Sequence, residues 1–151
     1  MKKREIIHAV LEHLRGDFER RQSAARRTRQ QGNDAESKAE GKYDTRATEE
    51  NYLADGLARQ AVVAAKAAEA IEKMSVRAFE PHEAIDLGAL VELKFPKVSE
   101  FFLLAPSGGG TEIVWEGKTI VVLTPESPLG LQLMGRLVAE KVGQAKIQAI
   151  F

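Results

Sequence analysis

This chain of 151 residues contains two runs with heptad spacing, separated by a polar stretch, and they limit its possible folds more than any other feature. The repeating positions of each run, here called seam positions, are those at which one helix would pack against the other. The first run covers residues 2–30, and its seam positions become polar toward the far end: Ile7, Leu11, Leu14, Phe18, Arg21, Ala25 and Thr28. The second run covers residues 47–76, with seam positions at Leu53, Leu57, Gln60, Ala64, Ala67, Ile71 and Met74. Between them, residues 31–45 are polar and contain Gly32, Asn33 and Gly41, so the chain can reverse there. The pattern predicts an antiparallel coiled-coil hairpin.

The predicted hairpin is longer than a small globular core requires. A helix of roughly 28 residues reaches on the order of 40 Å at about 1.5 Å per residue. The dense alanines of residues 61–70 favour helix formation and close approach of the two backbones. Such a hairpin serves as a reaching finger, a dimerisation element or a spacer, and periodicity alone leaves these alternatives open.

The second half of the chain has the composition of a small β-sheet domain. Pro81, within the stretch 80–83, indicates a linker, so we predict a finger at residues 1–78 and a second domain at 79–151. Turn residues separate apolar runs that predict strands at 89–95, 100–104, 111–115, 118–123 and 146–151. Ser127 followed by Pro128 indicates the start of a short helix, and Gly135 its end. The predicted class is therefore α+β, a helical hairpin followed by a small sheet with one short helix.

Charged residues of opposite sign collect at the far end of the predicted hairpin. The basic cluster in the first helix comprises Arg20, Arg21, Arg26, Arg27 and Arg29. The acidic cluster at and beyond the turn comprises Asp34, Glu36, Glu40, Asp44, Glu49 and Glu50. A solvated surface accounts for either cluster alone. Together they suit a nucleic acid end beside a magnesium ion, since guanidinium groups bind phosphate and carboxylates bind Mg²⁺.

Several chemistries find little support in the sequence. Cysteine is absent, the three histidines lack metal-site spacing, and no serine, histidine and aspartate grouping indicates a nucleophile. The glycine run 108–110 is followed by no lysine and helix in the order of a phosphate loop, so we interpret it as a turn. Charged residues interrupt any apolar leader, and no membrane span is indicated, so we expect a cytoplasmic protein.

The segment around the predicted short helix resembles that of a known family. Residues 124–130, Thr-Pro-Glu-Ser-Pro-Leu-Gly, followed by Leu-Met-Gly-Arg at 133–136, are similar to the Ser-Pro, short-helix and Gly-Lys segment of the Gre-type transcription elongation factors. With the preceding hairpin, the resemblance covers nearly the whole chain in the family's order. It implies an FKBP-like C-terminal domain that docks at the rim of the secondary channel of bacterial RNA polymerase through Glu126, Ser127 and Pro128. Helix capping by Ser127 is compatible with that role.

The resemblance also implies roles for the hairpin tip. Aligning Tyr43 with the family's tip tyrosine places Glu36 at the first of two catalytic acids, but the second position falls on Ala39, one residue before Glu40. Glu36 and Glu40 are then the expected catalytic and magnesium-binding residues, sharing the ion with the polymerase, and Asp34, Tyr43 and Asp44 would support them. The basic cluster would contact the nascent RNA 3′ end or the channel wall.

The expected function is that of a monomeric accessory factor, not itself an enzyme, which regulates elongation and helps the polymerase cleave backtracked RNA. Because of the departure at Ala39, a factor that occupies the channel without stimulating cleavage is an alternative. A structural or dimerising coiled-coil protein is another. A prolyl isomerase, suggested by the FKBP-like fold, would need an aromatic-lined pocket, and aromatic residues are few.

Overall fold

The computed structural model of the chain describes residues 1–38 and 45–151, and the side chains within them except those of residues 35–38 and 45–46. Its helices and strands are α1 Lys3–Lys38, α2 Thr45–Glu72, β1 Leu90–Lys94, β2 Ser99–Leu104, β3 Glu112–Trp115, β4 Lys118–Leu123, α3 Pro128–Leu133, β5 Lys141–Val142 and β6 Ala145–Ile150. The predicted α+β class is confirmed. In the described part of the chain, no helix is both long and apolar enough to cross a bilayer.

The chain divides into two compact units. The sheet unit comprises Met1–Leu14 together with Ala67–Phe151, and the hairpin unit comprises Arg15–Lys66. The sheet unit therefore includes the first turns of α1 and the last turns of α2. The boundary expected near residue 78 stays a prediction about folding domains.

The six strands form one mixed sheet in the order β3-β4-β2-β1-β6-β5. Strands β2 and β4 pair in parallel, and the remaining neighbours are antiparallel. Between β1 and β6 the register shifts, so that Glu92 faces Ala149 while Leu93 faces Ile147. This bulge leaves one extra residue in β6 and allows Ile147 and Ile150, three residues apart, to enter the same core.

Both faces of the sheet are covered by apolar side chains, which explains the continuous apolar runs in the central strands. On one face the strands pack against the beginning of α1 and the end of α2: Ile6, Val10, Leu14, Ala67, Ile71, Leu90, Leu103, Ile120 and Val122. On the other face they pack against α3 and the linker between α2 and β1, residues 73–89: Phe79, Ile85, Val91, Leu93, Leu104, Leu133 and Ile147. The alternation along β2 sends Leu103 and Leu104 to opposite cores.

In the hairpin unit the observed seam agrees with the prediction on α1 but only in part on α2, where Ala64 is buried as expected. Ala25 is buried on α1 as expected, whereas on α2 Leu53 is exposed and its neighbour Ala54 is buried. The buried positions of α2 in this unit are Ala47, Ala54, Ala61 and Ala64. The prediction that Leu53 belongs to the seam is therefore wrong. A seam of alanines permits a closer approach of the helix backbones than one of leucines.

The first part of the expected reversal segment, residues 31–45, is helical. α1 continues through Gly32 and Asn33 to Lys38, so these two residues lie within the helix and not in a turn. Gly32 is buried, and a Cβ atom there would lie 3.3 Å from the carbonyl oxygen of Ala47 and 2.9 Å from Oδ1 of Asn51. The glycine therefore permits close helix packing. Gly41 lies outside the described residues.

The remaining local predictions are close to the observed elements. β4 has the predicted bounds, and the β3–β4 turn is formed by Glu116 and Gly117, both with positive φ, as a type I′ hairpin requires. Gly135 adopts positive φ just after α3. The two-residue strand β5 was not predicted, because its identity depends on pairing with β6.

Candidate functional site

Ser127 caps α3 and fixes the loop that precedes it. Its Oγ accepts a hydrogen bond from the backbone N–H of Gly130 at 3.1 Å and donates one to the carbonyl oxygen of Thr124 at 2.7 Å. The backbone N–H of Ser127 donates to the same carbonyl at 3.1 Å. Pro128 occupies the first turn, where a missing N–H costs no helical hydrogen bond. These contacts give the loop a defined conformation.

Gly130 is required for this loop geometry. A Cβ atom at this position would lie 2.0 Å from the Thr124 carbonyl oxygen, a distance at which the backbone would have to move. The loop can therefore fold tightly against the first turn of α3 only with glycine at position 130.

The fixed loop presents a small surface that combines one acidic and two apolar side chains. Glu126 and Pro128 are exposed and Ser127 is half-buried. Leu131, on the outer side of α3, is 68% exposed, whereas Leu133 is buried in the sheet unit. Leu131 was not among the residues predicted for this surface. The helical spacing of Leu129 and Leu133, which places Leu131 on the opposite side, was the signal that could have found it.

The basic cluster predicted on α1 is divided by the structure into two groups. Arg21 and Arg29 contact α2, where Arg21 donates to the Oε1 atom of Gln60 and Arg29 forms an ion pair with Asp55. Arg21 also donates from Nε to Asp17 at 2.8 Å. These two arginines therefore join the helices of the hairpin.

The other three arginines remain at the surface of the hairpin unit. Arg20 lies 3.7 Å from Asp17, a weak contact along the helix. Arg26 and Arg27 are exposed, and neither forms an ion pair with another described residue. These two guanidinium groups are the members of the cluster best placed to bind a phosphate group.

The predicted tip residues lie mostly beyond the described part of the chain. Asp34 is an exposed residue of α1, and Glu36 belongs to α1 but its side chain is among those not described. Glu40, Tyr43 and Asp44 lie outside the described residues. Among the described residues, no group of three acidic or histidine side chains is placed to hold a metal ion. The magnesium-binding role of Glu36 and Glu40 stays a prediction.

Lys3 is a buried residue that the sequence analysis did not identify. Its Nζ donates to the carbonyl oxygens of Arg77 and, at 2.8 Å, of Phe151, and it lies 4.7 Å from the centre of the Phe79 ring. Burial, with a smaller contribution from the nearby Arg77 guanidinium, lowers the pKa of Lys3 to about 8. The lysine thus connects the start of α1, the linker and the residue that follows β6.

The fold and the capped loop define the chain as an α+β protein with a helical hairpin and a mixed sheet. No protein-family model matches it, and no curated protein does. Among solved structures, one described as the crystal structure of GreA factor homolog 1 (Gfh1) of Thermus thermophilus is 17% identical, with 95% of each chain covered and a TM-score of 0.34. A second, described as the structure of the transcription factor Gfh1, is 17% identical, with 94% of this chain and 93% of that chain covered and a TM-score of 0.35. At these values the likeness identifies neither an activity nor a partner.

Proposed function

We propose that this protein binds bacterial RNA polymerase at the secondary channel and regulates transcription elongation. The observation that supports the proposal most is the loop at Glu126, Ser127 and Pro128. The Ser127 cap and the close packing at Gly130 hold it in one conformation, with Glu126 and Pro128 exposed. A loop already fixed in this way loses little conformational entropy on binding. Its sequence is the one that resembles the docking segment of the Gre-type factors.

The hairpin unit gives the second line of support. α1 has 36 residues and α2 has 28, far more than the first and last turns that pack on the sheet. At about 1.5 Å per residue, α2 alone extends on the order of 40 Å. Two paired helices of this length suit insertion into a channel of another protein.

Cleavage of backtracked RNA is the finer part of the proposal. Glu36 and Glu40 would contribute carboxylates to a magnesium ion shared with the polymerase, and that ion would supply the activation of water. Ala39 occupies the position at which the family has its second acid. A factor that occupies the channel without promoting cleavage is therefore the alternative, and the same experiment distinguishes them.

Binding is tested first, with fluorescently labelled protein and core RNA polymerase titrated by anisotropy. We expect saturable binding, and Glu126→Lys should weaken it at least tenfold by reversing the charge of the docking loop. Glu112→Lys is the matched control, since Glu112 is an exposed acid on the edge strand β3. If the wild-type protein does not bind, the proposal is wrong. Equal losses for both variants would show that the effect is one of net charge.

Cleavage is tested with polymerase stalled in a backtracked complex that carries an end-labelled transcript. Shortening of the RNA that is abolished by Glu36→Gln or Glu40→Gln, but not by Glu19→Gln at an exposed acid of α1 outside the acidic cluster, would indicate a cleavage factor with a shifted second acid. Binding without shortening would indicate the channel-occupying regulator. Sedimentation of the free protein at several concentrations addresses the dimerising alternative, for which the mass would double.

A further inference from the structure

In the hairpin unit, α2 exposes most of its large apolar side chains and buries several of its small ones, while Leu57 is half-buried. Tyr52 is 72% exposed, Leu53 58% and Val63 68%. The seam of the same helix holds alanines, with Ala54 completely buried. A free-standing hairpin would gain more stability from the reverse arrangement, because larger apolar side chains release more surface from water. The stability of the hairpin therefore does not explain where these three side chains lie.

The exposed side chains form an ordered strip, the α2 outer stripe, which consists of Tyr52, Leu53, Arg59 and Val63. Residues 52, 56, 59 and 63 advance by four, three and four, so they share one side of the helix, with Leu53 at its flank. From Tyr52 to Val63 the stripe extends about 16 Å. It is long enough to contact several side chains of a partner.

The middle of the stripe combines a residue without a side chain and a positive charge. Gly56 has no side chain, and the atom nearest to a Cβ built there is Nη2 of Arg59, at 3.9 Å. Arg59 is exposed and forms no ion pair with the described residues. A partner that fits the stripe would place an apolar surface against Tyr52 and Val63 and a carboxylate near Arg59.

The size of the stripe argues against a second copy of the chain as the occupant. Three apolar side chains of this kind expose on the order of 400 Å², the size of the functional patches seen on monomers. A stable dimer needs about 800 Å² from each partner. The stripe therefore suits one contact within a larger interface, such as that of a hairpin enclosed by another protein.

We propose that the α2 outer stripe is an interaction surface for an apolar protein wall that carries a carboxylate, and that this wall belongs to the RNA polymerase channel. The inference rests on the proposed function. It assigns to α2 a protein-facing role, distinct from the phosphate-binding role available to Arg26 and Arg27 on α1.

The test compares the double variant Tyr52→Gln/Val63→Gln with the wild type in the anisotropy titration with RNA polymerase. Glutamine keeps good helix propensity, and circular dichroism during thermal unfolding checks that the hairpin still forms. We expect at least tenfold weaker binding. The matched control is Val62→Gln, an exposed valine of the same helix on the flank opposite Leu53, which should bind as the wild type does.

Charge reversal at the centre of the stripe gives an independent readout. Arg59→Glu should weaken binding more than Arg59→Gln, and the difference should shrink as the salt concentration rises. If the double variant binds like the wild type while Glu126→Lys does not, the inference is wrong and the proposed function stands. If the wild type itself does not bind polymerase, both the inference and the proposed function are wrong. A wild type that sediments as a dimer, with a monomeric double variant, would assign the stripe to a second copy and overturn the inference.

Discussion

Gly130 and Gly56 both lie in helices, but their surroundings predict opposite effects of the same substitution. Gly130→Ala would place Cβ 2.0 Å from the Thr124 carbonyl oxygen, so the loop must rebuild, at a cost of about 2 kcal/mol or more. Gly56→Ala meets only a flexible arginine and should stabilise α2 by up to about 1 kcal/mol. Urea unfolding of the two variants measures both effects. A similar change in both would mean that helix propensity, and not the Thr124 contact, sets the cost.

The contacts of the Glu83 carboxylate make the stability of the fold depend on pH. The backbone N–H of Glu80, at 2.7 Å, and then the guanidinium of Arg77 stabilise its carboxylate and lower its pKa below the ordinary 4.5. A carboxyl whose pKa is lower in the folded state stabilises the fold above its unfolded pKa, and this contribution is lost as the pH falls through the folded pKa. Glu83→Gln should therefore be less stable than the wild type at pH 7, and the difference should begin to shrink near pH 4.5 and disappear only once the pH is below the lowered pKa of Glu83.

The contributions of the two partners of Glu83 can be separated in the same urea titrations. Arg77→Gln removes the smaller cause and leaves the Glu80 N–H in place, so its pH-dependent loss should be smaller than that of Glu83→Gln. An equal or larger pH-dependent loss in Arg77→Gln would show that the ion pair, and not the backbone N–H, dominates.

At the scale of elements, the seam of the hairpin unit depends on Gly32. In most helices Gly→Ala is stabilising, but here the added Cβ would lie 2.9 Å from Asn51 Oδ1 and 3.3 Å from the Ala47 carbonyl oxygen. We expect Gly32→Ala to loosen the pairing of the helices and to lower the free energy of hairpin opening by about 1 kcal/mol. Asn51→Ala removes the nearer contact, so it should reduce the cost of Gly32→Ala. Hydrogen exchange of the double-mutant cycle measures this coupling, and additive effects would contradict it.

The same elements show which features local sequence could predict. The cap at Ser127, the turn between the predicted strands 111–115 and 118–123 and the bounds of β4 follow from residues adjacent in the chain, and all were predicted. On α2 the predicted seam passes through Leu53 and the observed seam through the next residue, Ala54. The greater hydrophobicity of leucine favoured Leu53 in the prediction. Which of the two residues is buried depends on how closely the backbones of α1 and α2 approach each other. Gly32 and the alanines permit a close approach. Within the candidate site the Ser127 cap was predicted and the exposure of Leu131 was not, and the docking role of Glu126, Ser127 and Pro128 stays a prediction.

The burial of Lys3 shows the limit of local sequence at the scale of the whole chain. Its partners are residues 74 and 148 positions away, so no local pattern contains the contact. Near its lysine and arginine neighbours the residue looked like an ordinary surface charge. Its buried state and the lowered pKa follow only from the way the linker and the end of β6 meet α1.

The two compact units are expected to differ in stability. The sheet unit contains large side chains that are fully buried, among them Ile71, Leu103 and Ile147, whereas the hairpin unit is held by alanines and polar contacts. Each large apolar side chain contributes about 1.5–3 kcal/mol on full burial, much more than an alanine. Amides of residues 15–38 and 45–66 should therefore exchange with deuterium at a lower free energy of opening than those of β1, β2 and β4.

Two variants show whether the units open independently. Leu103→Ala should lower the free energy of global unfolding by about 2–5 kcal/mol while leaving exchange in residues 15–38 and 45–66 unchanged under native conditions. Gly32→Ala should accelerate exchange in the hairpin unit alone. Exchange that rises throughout the chain in either variant would mean that the two units unfold as one, and the hairpin would then owe its order to the same core that holds the sheet together.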